Sequence, residues 1–107
     1  MSVSNLYFSF KAQTDLDEIG IYLDKFASLK LKEKIISSIF YRLELLKSFP
    51  GLGSYLWREK RELQNLRKII VQKYVIIYEI REQTIIVHRI FHSARDYISL
   101  IKKYYGQ

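Results

Sequence analysis

The chain has 107 residues, enough for one compact domain and too few for two. It contains no cysteine, which excludes a disulfide framework and thiolate metal ligation and is compatible with a reducing compartment. Lys and Arg number 18 against 11 Asp and Glu, a formal charge of +7, so DNA, RNA and acidic protein segments are the natural partners.

The apolar share of 49% argues against disorder. No run of 18 apolar residues is present to span a membrane, and the N-terminus lacks the layout of a signal peptide. A cytoplasmic protein with no membrane contact is expected. The charge is uneven. Residues 1–29 carry Lys11 and Lys25 against Asp15, Asp17, Glu18 and Asp24. Residues 58–73 carry Arg58, Lys60, Arg61, Arg67, Lys68 and Lys73 against Glu59 and Glu62, so an anionic partner is expected to dock on the middle of the chain. For any one lysine taken alone, a solvated surface is the default.

Residues 3–10, VSNLYFSF, alternate weakly and are rich in aromatics, which predicts a strand. The period then changes. Leu16, Ile19, Leu23 and Phe26 fall at helical spacing, with Asp15, Asp17 and Glu18 suited to a first turn and Thr14 to the N-cap; a helix over 14–27 is predicted. A second helix over 29–48 follows from the stripe Ile35, Ile39, Leu43 and Leu46, and Pro50 stops it. The short junction pairs the two helices antiparallel. Residues 50–65 read as a loop through Gly51 and Gly53, with Trp57 packing it onto the core.

LRKIIVQK (66–73), YVIIYEI (74–80) and TIIVHRIF (84–91) read as three strands joined by turns at Gln72–Lys73 and Arg81–Gln83, hence an antiparallel meander. Strict alternation puts Ile86, His88 and Ile90 on one face of the third strand and Ile85, Val87, Arg89 and Phe91 on the other. A last helix is predicted over 94–104, with Tyr97, Ile98 and Ile101 inward. The whole is an α+β domain: N-terminal strand, antiparallel helical hairpin, three-stranded antiparallel meander and short C-terminal helix, with the helices on one face of the sheet.

The segment HRIFHSARDY (88–97) holds both histidines of the chain and gathers the residues of RNA cleavage. The 2′-hydroxyl route needs a base, a cation on the phosphate and an acid. His92 can move protons near neutrality, and Arg95 and Arg67 can brace a phosphate, provided their strands are neighbours. The plainer reading is that His92 bonds a backbone group at the strand end and His88 is a half-buried core residue. Asp96 pairs with Arg89 or Arg95, or sits at the start of the last helix. Arg67, on a strand among apolar residues, needs a partner either within the fold or outside it. Two histidines four apart on a strand stand roughly 13 Å from one another, too far to ligate one metal. PGLGS lacks the lysine of a phosphate loop. No metal or cofactor is expected.

The order of elements, with DLDEIGIYL, LELLKSFPGLG, LRKIIVQKYVIIYEI and IIVHRIFHSARDY, resembles the RelE/ParE superfamily of type II toxin–antitoxin toxins over nearly the whole chain. The resemblance implies one of two activities: RelE-like toxins cut messenger RNA on the ribosome, and ParE-like toxins bind DNA gyrase without hydrolysis. The RelE-like arginine in the middle strand has Val75 in its place, within Tyr74-Val75-Ile76-Ile77-Tyr78, and the next basic position falls on Ala94. Arg89, His92 and Asp96 match the ParE-like ending instead. The expectation is therefore a ParE-like binder of gyrase. Its target surface would comprise Arg58, Lys60, Arg61, Arg67, Lys68, Lys102 and Lys103. A ribosome-dependent endoribonuclease using Arg67, His92 and Arg95 stands as the alternative, and a chain that has lost toxicity as a third. The resemblance also implies a cognate antitoxin, held through Tyr7, Tyr55, Trp57 and Tyr104, with operator DNA reached only through that antitoxin.

Overall fold

A computed structural model describes residues 5–56 and 65–105. The chain runs β1 (Asn5–Phe8), α1 (Phe10–Phe26), α2 (Leu29–Ser48), a 3-10 turn (Pro50–Leu52), β2 (Ser54–Tyr55), β3 (Arg67–Val71), β4 (Tyr74–Arg81), β5 (Thr84–His92) and α3 (Tyr97–Tyr105). The strands form one five-stranded sheet in the order β1-β5-β4-β3-β2. β1 runs parallel to β5, and the other neighbours are antiparallel.

The α+β order holds, and the meander is β3-β4-β5. Three local expectations are corrected. The first helix begins at Phe10, because Ser9, not Thr14, is its N-cap: the Ser9 hydroxyl accepts from Ala12 N at 3.0 Å. Thr14 sits inside the helix and donates to Phe10 O at 3.1 Å. The acids at 15, 17 and 18 thus fall beyond the first turn. Second, the loop after Pro50 contains a short edge strand, β2, whose Ser54 and Tyr55 pair with Lys68 and Arg67. Third, the helices cover both faces of the sheet.

The two faces follow from the alternation along β4. Tyr74, Ile76 and Tyr78 join the larger core beneath α1 and α2, built on Ile19, Leu23, Ile39, Leu43 and Leu46. Val75 and Ile77 face the other way, into a smaller cluster with Leu66, Phe91 and Ile101 of α3. Every residue from Tyr74 to Glu79 is buried, which explains why this strand is an unbroken apolar run before its closing acid. Each fully buried Ile or Leu contributes roughly 1.5–3 kcal/mol, so the helical hairpin is held chiefly by this packing. Among the described side chains of α3, Ile101 is buried and Ile98, Leu100 and Lys102 are half-buried.

A β-bulge breaks the expected alternation of β5. Tyr78 pairs with Val87 and Ile77 with Arg89, leaving His88 as the extra residue. Ile90, expected beside Ile86 and His88, is instead turned into the larger core with Ile85 and Val87.

The β3–β4 turn lies where the sequence placed it, and it is strained. Gln72 (φ 51°) and Lys73 (φ 72°) both occupy the left-handed region that glycine and asparagine tolerate best. The double change Gln72→Asn, Lys73→Gly should raise stability by about 0.5–1 kcal/mol, read as a higher urea midpoint at unchanged slope. An unchanged or lower midpoint would show that the turn stores no strain.

Candidate functional site

Where β1 stops pairing, at Phe8↔Val87, β5 continues with an unpaired edge. Asp15 of α1 takes the place of the missing strand. Its Oδ2 accepts from Ile90 N at 2.9 Å and from Arg89 Nε at 2.8 Å, and Oδ1 accepts from Arg89 Nη2 at 3.0 Å. Ser9 extends the seam: its backbone N–H donates to Val87 O and its hydroxyl to His88 O. Arg89, one of the three partners or places open to Asp96 in the sequence, is thus committed to α1. A signal was present in the sequence, since Asp15 shares the helical spacing of Ala12, Ile19 and Leu23, which marks an acid on the buried face.

On the α3 side of the sheet, Glu79 is buried next to the bulged His88. Its Oε1 lies 2.6 Å from His88 Nε2 and accepts from Arg81 Nη2 at 2.8 Å. Two basic side chains on one buried oxygen are the compensation such a carboxylate requires. His88 is half-buried and structural, as the sequence suggested.

Tyr78 organises the loop before β2. Its hydroxyl donates to Pro50 O at 2.9 Å and accepts from Gly53 N at 2.8 Å. Burial raises the phenol's pKa, opposed by the Gly53 N–H and by Arg67. Arg67 donates to Gly53 O at 2.8 Å and lies 4.0 Å over the Tyr55 ring. The partner it required is therefore within the fold.

At the far end of β4 a cleft of about 440 Å³ opens between α1 and the end of β5, with Glu18, Tyr22, Tyr74, His92 and Arg95 in its lining. His92 Nδ1 accepts from Ala94 N at 3.0 Å, so the ring bonds a backbone group at the strand end and carries its proton on Nε2. The Tyr74 and His92 rings meet edge to face, 5.4 Å between centroids. Burial and the neighbouring Tyr22 raise the Tyr74 phenol's pKa. Asp96 caps α3: Ser99 Oγ donates to its Oδ2 at 2.7 Å and Ser99 N to its Oδ1 at 3.2 Å, which holds the carboxyl below the usual carboxylate range.

The structure brings together some expected residues and separates others. His92 and Arg95 share the cleft. Arg67 does not: it pairs with Tyr78, whereas His92 pairs with Tyr74, four residues or roughly 13 Å along β4 and on its opposite side. Val75 is fully buried, so the smaller core is aliphatic where the RelE-like resemblance would have an arginine. Lys68 is half-buried on β3, and Lys102 and Lys103 lie on α3. Tyr7 and Tyr55 are exposed on the two edge strands, β1 and β2. Trp57, Arg58, Lys60 and Arg61 lie outside the described residues, as do the side chains of Tyr97 and Tyr104. Among the described residues no helix is long and apolar enough to cross a membrane.

Among curated protein sequences none matches the chain at a significant level. Among solved structures, the chromosomal ParDE system from P. aeruginosa superposes with a TM-score of 0.66 at 18% identity, over 84% of this chain and 96% of that one. The RelBE2 toxin–antitoxin complex from Mycobacterium tuberculosis gives 0.58 at 19% identity, over 86% and 99%. At such identities these neighbours share the fold. The family model for the ParE toxin of type II toxin–antitoxin systems, parDE, matches residues 6–97. With so much of its length covered, the chain belongs to the ParE toxin family of type II toxin–antitoxin systems.

Proposed function

We propose that this protein is a cytoplasmic toxin that acts by binding DNA gyrase and is held in check by a cognate antitoxin, which alone brings it to operator DNA. The observation that carries the choice of target is Val75. The middle strand presents a fully buried aliphatic side chain in the smaller core, beneath α3, where cleavage of a phosphodiester would call for a cation. The separation of Arg67 from His92 and Arg95 supports the same reading.

The target surface draws on Arg58, Lys60, Arg61, Arg67, Lys68, Lys102 and Lys103, with Arg67 also bonded within the fold to Gly53 O. The formal charge of +7 favours an acidic antitoxin segment, one that orders on binding and meets the aromatics of the edge strands. Purified toxin should inhibit gyrase supercoiling, or trap cleaved DNA, at near-stoichiometric ratios. Gyrase untouched at large excess would end this reading. New 5′ ends in messenger RNA, mapped by primer extension in a translating extract and lost on His92→Ala, would establish the endoribonuclease instead.

A further inference from the structure

Tyr74 poses a question that the core does not answer. The residue is only 5% exposed, yet its hydroxyl has no hydrogen-bond partner among the described residues. Tyr78, two pleats along the same face, uses its hydroxyl twice. A buried phenol ordinarily finds a partner, and one left without is a site waiting for something to bond.

Tyr74 lines the cleft between α1 and the end of β5, and it is not alone there. His92 contributes an Nε2–H that nothing in the described residues accepts, because Nδ1 is already an acceptor for Ala94 N. Arg95 is exposed and approaches the Phe91 ring at 5.7 Å, with no ion pair among the described residues. Three donors therefore line one cleft whose apolar surface comes from Ile19, Ile90 and Phe91. Two acids of α1 line it as well: Asp15, whose carboxylate is taken up by Arg89 and Ile90 N, and Glu18, which has no partner among the described residues.

We infer that this cleft is an anchor for a carboxylate on a peptide segment of a protein partner, seated beside an aliphatic residue of the same segment. A carboxylate accepts from several donors at once, which suits a phenol, an imidazole N–H and a guanidinium. The carboxylate of Glu18 repels a doubly charged phosphate about twice as strongly as a singly charged carboxylate in the same space, while it can accept a backbone N–H of an entering peptide. The apolar surface rewards an aliphatic neighbour. The carboxylate belongs either to an acidic side chain or to a chain terminus. This inference deepens the antitoxin reading, on which it rests for the partner's identity, and it is tested without gyrase or antitoxin.

The experiment is an NMR titration of the full chain, following the ring signals of Tyr74 and His92. The probes are Ac-Leu-Glu-Leu-NH2, its glutamine analogue, Ac-Leu-Leu-Leu with a free C-terminus, and inorganic phosphate. The glutamate peptide should move both rings with millimolar affinity, and the glutamine analogue should bind about tenfold more weakly. Stronger binding of the free-terminus peptide would assign the site to a chain end and equally support a carboxylate anchor. Tyr74→Phe and Arg95→Gln should each weaken the glutamate peptide about threefold or more, with thermal melts no lower than the parent's. Equal affinity for the glutamate and glutamine peptides, rings that do not move, or phosphate binding more tightly than any peptide would overturn the anchor. If the anchor holds while gyrase is unaffected, the target reading fails and the site stands.

Discussion

Asp15→Ala should be among the most damaging single substitutions in this chain, costing about 3–5 kcal/mol. Asp15 and Arg89 are largely buried, with side chains 9% and 17% exposed. Removing the carboxylate strips Arg89 of two hydrogen bonds and Ile90 N of its acceptor, in a seam that the protein, not water, must satisfy. For a domain of this size the melting temperature should fall by roughly 15–25 °C. Asp15→Asn keeps an acceptor for Ile90 N and should cost less. The double variant Asp15→Leu, Arg89→Met removes both charges, and its loss should be well below the sum of Asp15→Leu and Arg89→Met taken singly. Chemical denaturation of the set measures the coupling. An Asp15→Ala variant within about 1 kcal/mol of the parent would mean that the seam is held by packing alone.

Gly53→Ala should cost about 2–4 kcal/mol, for reasons of space and not of backbone angle. Gly53 has an ordinary φ of −78°. A Cβ there would stand 2.6 Å from Lys68 O, 2.6 Å from Tyr78 Oη and 2.8 Å from Tyr78 Cε1. The carbonyl is fixed by β3, and Tyr78 is fully buried, so the loop must move and give up its bonds to Tyr78 and Arg67. Gly51 has nothing within 4 Å of the same added atom, which makes Gly51→Ala the control. Tyr78→Phe alone should cost about 1–3 kcal/mol, because it leaves Gly53 N and Pro50 O without their partner. Combined with Gly53→Ala it should cost less than the sum, since one clash disappears with the hydroxyl. Urea midpoints that place Gly53→Ala level with Gly51→Ala would refute the close approach.

These two positions also show where reading the sequence stops. Asp15 was legible as an acid near the start of a helix, and its dipole role seemed sufficient. Its true partner is 74 residues away. Arg67 was recognised as needing a partner, but whether that partner lay inside or outside the fold depended on where the loop carried Gly53 and Tyr55. Arg95 and His92 were singled out for nuclease chemistry with Arg67. The fold keeps the first two together and sends the third along the sheet, beside a different phenol.

By itself the sequence determined the order of the elements apart from the short strand β2, the helical hairpin ended by Pro50, the meander with its turn at Gln72–Lys73, and the aliphatic character of position 75. All of these are written in local terms: hydrophobic period, turn chemistry, and the identity of one side chain within its strand. The tertiary structure alone decided that the helices divide between the two faces of the sheet. It also decided that His88 is bulged and re-aims Ile90, that Asp15 closes the exposed edge of β5, and that Tyr78 has hydroxyl partners where Tyr74 has none among the described residues. No period in a chain specifies which distant group will satisfy a buried charge or hydroxyl. That choice is made by packing, when the elements settle and every polar group enclosed between them must find a partner or keep a path to solvent.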